Sequence, residues 1–348
     1  MTSNPVVSSS QFALKYWYAS IARPEVMPFL PSIIHLETTT KCNLACTICP
    51  RTNSLNKPGS KEDERWNKNL SLEQFQEILD QLGSLRYVRL HGFGEPLMNP
   101  DLSHMISLLS SRGIDAEFTT NASLLSQKKS EALIRSNLSY LTVSIDGATK
   151  EVYENIRTNA RFKNVIGNIL ELRRLKEKLN KKRPHLRINM VVTSENIHEF
   201  LDTIKLAKVL GAAEFRASPI VPPREDLGWM LPDPELWAQT SKEAKILARS
   251  LRIHLVCSGS PNRAINTQAE SKSKTISRCK QPWVAPYIRV DGFVTPCCNI
   301  SGSDVLGNKN VFLQDFRMIW NSDEFQRFRR NLKFGPLPKD CVNCPNLK

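Results

Sequence analysis

No apolar run in this chain approaches the ~20 residues that a membrane-spanning helix needs, so no transmembrane segment is expected. The opening stretch MTSNPVVSSSQFALKYWYAS lacks the basic start and long apolar core of a secretory signal. A cytoplasmic location is therefore expected, where thiols stay reduced. Internal repeats are absent. Acidic residues are the scarce charge: 34 Asp and Glu stand against 48 Lys and Arg, a net charge of +14. That balance favours an anionic partner. No basic stretch is interleaved with aromatics, however, so specific nucleic-acid recognition is not expected. Much of the excess lies in Arg173–Arg187 and Gln326–Lys333, which read as solvated helix faces and ends.

What remains is an ordinary globular composition, 41% apolar and 24% charged, in 348 residues. That length suits one large domain and a small one. Apolar, β-rich runs predict strands at Ile33–Glu37, Arg86–His91, Ile114–Thr119, Tyr140–Ile145, Leu186–Val192 and Ala213–Ala217. Helical patterns separate them. Ser71 with Gln74 forms a capping box opening Leu72–Leu82, and Gly83 ends it. Asn99 reads as the cap of a helix with Pro100 first, running to Gly113. Further helices fit Gln127–Arg135, Asn164–Lys182, Ile197–Leu210 and Pro234–Leu251, with a leader helix around Gln11–Ile21. Strand and helix in alternation imply a parallel sheet with right-handed crossovers. The boundaries read as leader 1–31, main domain 32–257, polar linker 258–278 and C-terminal domain 279–348.

The nine cysteines are odd in number and clustered, which fits metal ligation better than a disulfide framework. Cys42, Cys46 and Cys49 form Cys-x-x-x-Cys-x-x-Cys just after the first strand. Three thiolates can hold three corners of a [4Fe–4S] cubane and leave one iron open for chemistry. Zinc knuckles favour paired Cys-x-x-Cys elements instead. At this motif the chain resembles the radical SAM superfamily. The resemblance implies an open, partial (βα)6 TIM-like barrel, an α/β fold, with its chemistry at the carboxyl ends of the strands. It also implies that the open iron chelates S-adenosylmethionine (SAM), whose reductive cleavage releases a 5′-deoxyadenosyl radical.

His91-Gly92-Phe93-Gly94-Glu95-Pro96 follows the second strand. Its glycines permit close backbone approach, and Glu95 offers a carboxylate suited to an amine. A dinucleotide or P-loop reading fails because Glu-Pro stands where a further glycine is needed and Gly-Lys-Ser/Thr is absent. The family resemblance implies that Gly92, Gly94 and Glu95 hold the SAM amino group. It likewise suggests Asn121, in Thr119-Thr120-Asn121, and Ser144, in Ser144-Ile145-Asp146-Gly147, for the ribose hydroxyls. Arg157 falls where relatives place an arginine near the SAM carboxylate. A strand-end cap or a surface ion pair is the competing reading for each of these three.

Tyr287–Val290 and Phe293–Thr295 read as a hairpin turning at Asp291-Gly292. It would bring Cys279 and Cys297 together, and tail helices at Leu313–Trp320 and Asp323–Leu332 would return Cys341 and Cys344 to them. This resembles the twitch domain, the shortened SPASM domain, and implies one auxiliary [4Fe–4S] cluster on Cys279, Cys297, Cys341 and Cys344. Four such cysteines suit zinc equally well. Cys298 could replace Cys297, or donate a hydrogen atom to a substrate radical as a cysteine does in epimerases of the family. Cys257 is most simply a small buried hydrophobe, with hydrogen donation as its alternative.

The expected activity is hydrogen abstraction from a C–H bond of a sugar, other small metabolite or peptide, by an oxidoreductase or epimerase. Peptide maturation is the runner-up, and a basic iron–sulfur or zinc nucleic-acid-binding protein a remote third. The leader is too short for the fused peptide-recognition domain of some relatives. The expected partners are an anionic substrate and a low-potential reductant such as flavodoxin or ferredoxin.

Overall fold

Strand residues in this protein alternate between two environments, and that alternation sets the architecture. A computed structural model describes residues 9–55, 66–222, 225–259, 261, 279–300, 303–338, 341 and 344. After α1 (Ser9–Ile21) come β1 (Ile33–Leu36), α2 (Pro50–Leu55), α3 (Leu72–Asp80), β2 (Tyr87–Arg89), α4 (Leu102–Ser111) and β3 (Asp115–Thr120). Next are α5 (Gln127–Arg135), β4 (Tyr140–Ser144), α6 (Lys150–Ile156), α7 (Phe162–Lys178), β5 (His185–Val192), α8 (Phe200–Val209) and β6 (Glu214–Pro219). The chain ends with α9 (Pro234–Leu251), β7 (His254–Cys257), α10 (Gln281–Val284), β8 (Tyr287–Ile288), β9 (Val294–Thr295), α11 (Phe316–Trp320) and α12 (Asp323–Phe334).

Among the described residues the strands form one open sheet in the order β7-β6-β5-β4-β3-β2-β1-β8-β9. Strands β1 to β7 are parallel in chain order, as right-handed crossovers require when the helices cover one face. On that face Ala116, Phe118, Leu141, Val143, Ile188, Met190, Phe215 and Ala217 are almost fully buried. A sheet packed on both sides would be apolar throughout. Here Glu117, Tyr140, Arg187, Asn189, Glu214 and Arg216 alternate with those residues, so the opposite, inner face is polar.

The six predicted strands are present with small shifts at their ends. Beyond these six, a short parallel strand, β7, joins β6 at the sheet's edge. The C-terminal hairpin forms as expected, with Tyr287 opposite Thr295. Its first strand, β8, pairs in parallel with β1, His35 opposite Tyr287, and extends the same sheet. The Ser71–Gln74 capping box is present. Asn99 is not the cap of α4. Its amide donates instead to the carbonyls of Thr38 (2.7 Å) and Leu70 (2.9 Å), tying the loop after β2 to the loop after β1. Asp101 takes the cap position. Most of the predicted polar linker 258–278 lies outside the described residues.

The leader is clamped to the C-terminal region by side chains that reach its backbone. Trp283 donates to Pro24 O (2.7 Å), Trp320 to Phe29 O (3.0 Å) and Arg329 to Glu25 O (2.9 Å). Arg329, read from sequence as part of a solvated run, is fully buried between the rings of Trp320 and Phe325. Its partners are carbonyls and rings rather than a carboxylate, and burial pulls its pKa down to about 9. Arg329→Ala removes those contacts and strands two buried carbonyls. It is expected to cost about 3 kcal/mol in denaturant unfolding; a cost below ~1 kcal/mol would show the clamp to be dispensable.

Candidate functional site

Four loops at the carboxyl ends of β1 to β4 and the turn after α6 are sewn together around Cys42, Cys46 and Cys49. The cysteine loop receives Glu95 N at Lys41 O (2.7 Å) and Arg51 Nε at Thr40 O (2.8 Å). Ala45 N and Thr47 N donate to Thr158 O and Ile156 O (3.2 and 3.1 Å). Gly94 lies so close to this loop that a Cβ would stand 2.3 Å from Thr39 O and 2.7 Å from Lys41 O, which only glycine allows. At Gly92 a Cβ would meet the buried Glu37 side chain at 2.4 Å.

Glu95 is buried, and its carboxylate is aimed by three donors. Thr120 Oγ1 (2.6 Å) and Leu97 N (3.2 Å) reach Oε1, and Asn121 N (2.8 Å) reaches Oε2. Burial pushes its pKa up against those bonds, so a cation beside it would be favoured. Asn121 is engaged within the protein. Its amide donates to Asn43 Oδ1 (3.1 Å), and its own oxygen accepts from Ser123 N and Oγ (2.9 and 2.6 Å), tying the loop after β3 to the cysteine loop. Ser144 sits on the inner face at the end of β4, opposite Asn189 of β5.

Arg157 is brought to the cysteine loop. Its Nε donates to the fully buried Asp146 (2.5 Å), and its Nη1 lies 3.9 Å from Cys46 Sγ. Asp146 is fixed in turn by Val191 N (2.8 Å). Burial pushes the Cys46 thiol up to about 11, opposed chiefly by Arg157. The Cys42 thiol is raised too, by burial and its neighbours Glu95 and Cys49. Beside them the Tyr153 hydroxyl is buried without a partner among the described residues. Buried thiols that need a cation to ionise, next to an unmet hydroxyl, fit an iron–sulfur cluster with a polar ligand against it.

The C-terminal cysteines form a second sulfur set. Cys279 and Cys344 act on each other, Cys297 feels Cys298 and Cys279, and Asn299 Nδ2 reaches Cys344 Sγ at 3.6 Å. Cys344 N donates to Cys341 O (3.1 Å), closing one turn that carries both thiols. Burial raises the thiols of Cys279, Cys297 and Cys298. Cys298 differs from Cys297 in facing a cation, Arg89 of β2, which opposes the effect of burial. Cys257 pairs with Ala217 on the helix-covered face and feels Lys245 of α9. Among the described residues no three Cys, His, Asp or Glu side chains close around a point as for a single metal ion.

The polar inner face carries a network that sequence reading missed. Glu117 accepts from Tyr87 (2.6 Å) and pairs with Arg89 (2.7 Å) and Arg187 (2.6 Å). Glu214 pairs with Arg187 (3.5 Å), with Arg216 and with His254. Arg187, assigned from sequence to a solvated run, has a side chain only 13% exposed. Glu37 bridges the top of this face, accepting from Phe93 N (3.0 Å) and Val290 N (3.3 Å). The signal was the alternation of LRIN and EFRASP, a polar residue at every second position.

Two family models match the chain: the radical SAM superfamily over residues 36–207 and an iron-sulfur cluster-binding domain over residues 279–345. It is similar to the AdoMet-dependent heme synthase of Methanosarcina barkeri, 26% identical over 86% of this chain and 85% of that protein. It is 23% identical to the PqqA peptide cyclase of Bradyrhizobium diazoefficiens over 90% of this chain and 79% of that one. The fold is shared with Streptococcus suis SuiB bound to S-adenosylmethionine, with a TM-score of 0.67 at 17% identity over 98% of this chain and 77% of that chain.

Proposed function

Because the chain belongs to the radical SAM superfamily and carries a C-terminal SPASM iron–sulfur domain, we propose that it abstracts hydrogen from a C–H bond of a small metabolite. The two domains imply SAM and two [4Fe–4S] clusters as cofactors. When bound, the first cluster supplies the electron that cleaves SAM to methionine and a 5′-deoxyadenosyl radical.

The chain's own residues prepare that event. Cys42, Cys46 and Cys49 would hold the SAM-binding cluster. Glu95, aimed by Thr120, Leu97 and Asn121, would accept the methionyl ammonium, with Gly92 and Gly94 letting the backbone close on it. Arg157, clamped by Asp146, places a positive charge at Cys46 and the SAM carboxylate, and Ser144 takes a ribose hydroxyl. Asn121 positions the cysteine loop. Cys279, Cys297, Cys341 and Cys344 would hold the auxiliary cluster.

The observation that carries the reading is the knitting of the cysteine loop to the Glu95 and Arg157 loops at one end of an open parallel sheet. A peptide substrate is the second reading, favoured by the likeness to a peptide cyclase over most of the chain. Anaerobic reconstitution should load about eight irons per chain and give slow 5′-deoxyadenosine release with SAM and dithionite. A fully loaded protein that never cleaves SAM would sink the reading.

Cys298 decides the product. A free, half-buried thiol next to the auxiliary ligand Cys297, it is the candidate that returns hydrogen to the opposite face of a substrate radical, giving an epimer. Cys298→Ala is then expected to keep 5′-deoxyadenosine formation while epimer formation falls at least about a hundredfold. Unchanged product would make the reaction an oxidation instead.

A further inference from the structure

The turn that aims Glu95 has one open flank. Pro96–Met98 form a single tight turn behind the carboxylate, and Leu97 N donates to Glu95 Oε1 (3.2 Å). Leu97 and Met98 line a cavity of about 430 Å3, together with Leu102 of α4, Leu124, and Leu133 of α5. On that side the turn meets space rather than close-packed side chains, so packing alone does not fix it.

Lys129 of α5 lines the same cavity and holds the turn from across it. Its Nζ donates to Leu97 O at 2.6 Å, a charge-assisted bond. Leu97 therefore carries two bonds in series, its amide turned to Glu95 and its carbonyl to Lys129. The loop that leads into α5 grips the same carboxylate through Thr120 Oγ1 and Asn121 N (2.6 and 2.8 Å). The two segments are thus fastened twice, once at Glu95 itself and once at Leu97.

Local preference does not explain this lysine. A cation in the first turn of a helix opposes the helix dipole, and α5 carries Lys128 and Lys129 there with no acidic residue. Lys128 is exposed, whereas Lys129 is half-buried. Ser126 Oγ accepts from Lys129 N (3.4 Å) and so fixes where the side chain begins. The charge acts in the same sense as the bond. Burial raises the Glu95 pKa, the hydrogen bonds from Thr120, Asn121 and Leu97 oppose it, and the Lys129 ammonium adds to that opposition.

We propose that Lys129 is a positioning residue for SAM binding: by pinning Leu97 O it holds Leu97 N, and hence the Glu95 carboxylate, in line for the methionyl ammonium. The inference rests on the radical SAM reading and adds to it a helix residue that lies outside the Gly92–Glu95 loop.

The test is calorimetric titration of reconstituted protein with SAM, alongside steady-state release of 5′-deoxyadenosine. Lys129→Met should weaken SAM binding at least about tenfold and raise the KM for SAM by the same factor. Release at saturating SAM should stay within about twofold of the parent's, because the lost interaction orients bound SAM's amine and not the reacting bond. Iron content and melting temperature should match the parent's. Lys129→Arg keeps the charge and the donor and should recover most of the affinity. Lys128→Met relieves the same conflict with the dipole and should bind SAM as the parent does. Unchanged SAM affinity in Lys129→Met overturns the proposal. A loss of iron or of melting temperature overturns it as well, by making the lysine a general brace of α5, and so does a loss of affinity that Lys129→Arg fails to recover. If the unmodified, fully loaded protein binds and cleaves SAM while Lys129→Met is unaffected, only the positioning role is refuted. If the unmodified protein never cleaves SAM, the radical reading itself fails.

Discussion

Cys46→Ala is expected to lower iron by about four atoms per chain and 5′-deoxyadenosine release by at least about a hundredfold, because even outer-sphere changes at metal sites cost 10- to 100-fold. Cys46 is the most buried of the three thiols in its motif, 6% exposed. Its pKa near 11 means that the thiolate forms only when cations compensate. Arg157, 3.9 Å from the sulfur, supplies one such charge, and iron would supply the rest. Alanine removes the ligand and leaves Arg157 held to Asp146 without its sulfur neighbour. Cys257→Ala is the matched control: its thiol lies on the helix-covered face near Lys245, so iron and turnover should both persist. Full iron and turnover in Cys46→Ala would remove this motif from the reaction.

What was legible in the sequence was local. The Ser71–Gln74 capping box, α5, α9 and the hairpin at Asp291-Gly292 each carry their cause within a few residues. The two cysteine groups stood out by their spacing, and the Gly92–Glu95 loop by its resemblance to a family motif. What was hidden depends on distant partners. Nothing near Tyr287 says that it lies beside His35, so the pairing of the hairpin with β1 was not legible. β7 has only four residues before a polar stretch, too few for periodicity to mark it. Arg187 and Arg329 each sit in a basic run whose other members are mostly solvated, and a run of like charges hides the one that turns inward. Asn99 and Asn121 have the residue type of caps and ligands, but each spends its amide on a loop that only the fold brings close.

The strongest purely geometric prediction concerns Gly94. In Gly94→Ala the added carbon would stand 2.3 Å from Thr39 O and 2.7 Å from Lys41 O. Both are backbone atoms, so no rotamer relieves the clash and the two loops must part. The adjacent bond from Glu95 N to Lys41 O (2.7 Å) is then lost, and Glu95 moves away from Thr120 and Asn121. A displacement of about 1 Å at a reacting centre can cost roughly a hundredfold, so 5′-deoxyadenosine release should fall by at least that factor. Thermal unfolding should show a loss of about 2 kcal/mol, in the range of overpacking. Gly167→Ala separates this from a general intolerance of alanine. Gly167 is exposed within α7, and nothing lies within 4 Å of its would-be Cβ. There the substitution should stabilise the helix by about 1 kcal/mol. If Gly94→Ala instead retained full turnover, the Glu95 loop would not need to touch the cysteine loop, and the binding of SAM between them would have to be placed elsewhere.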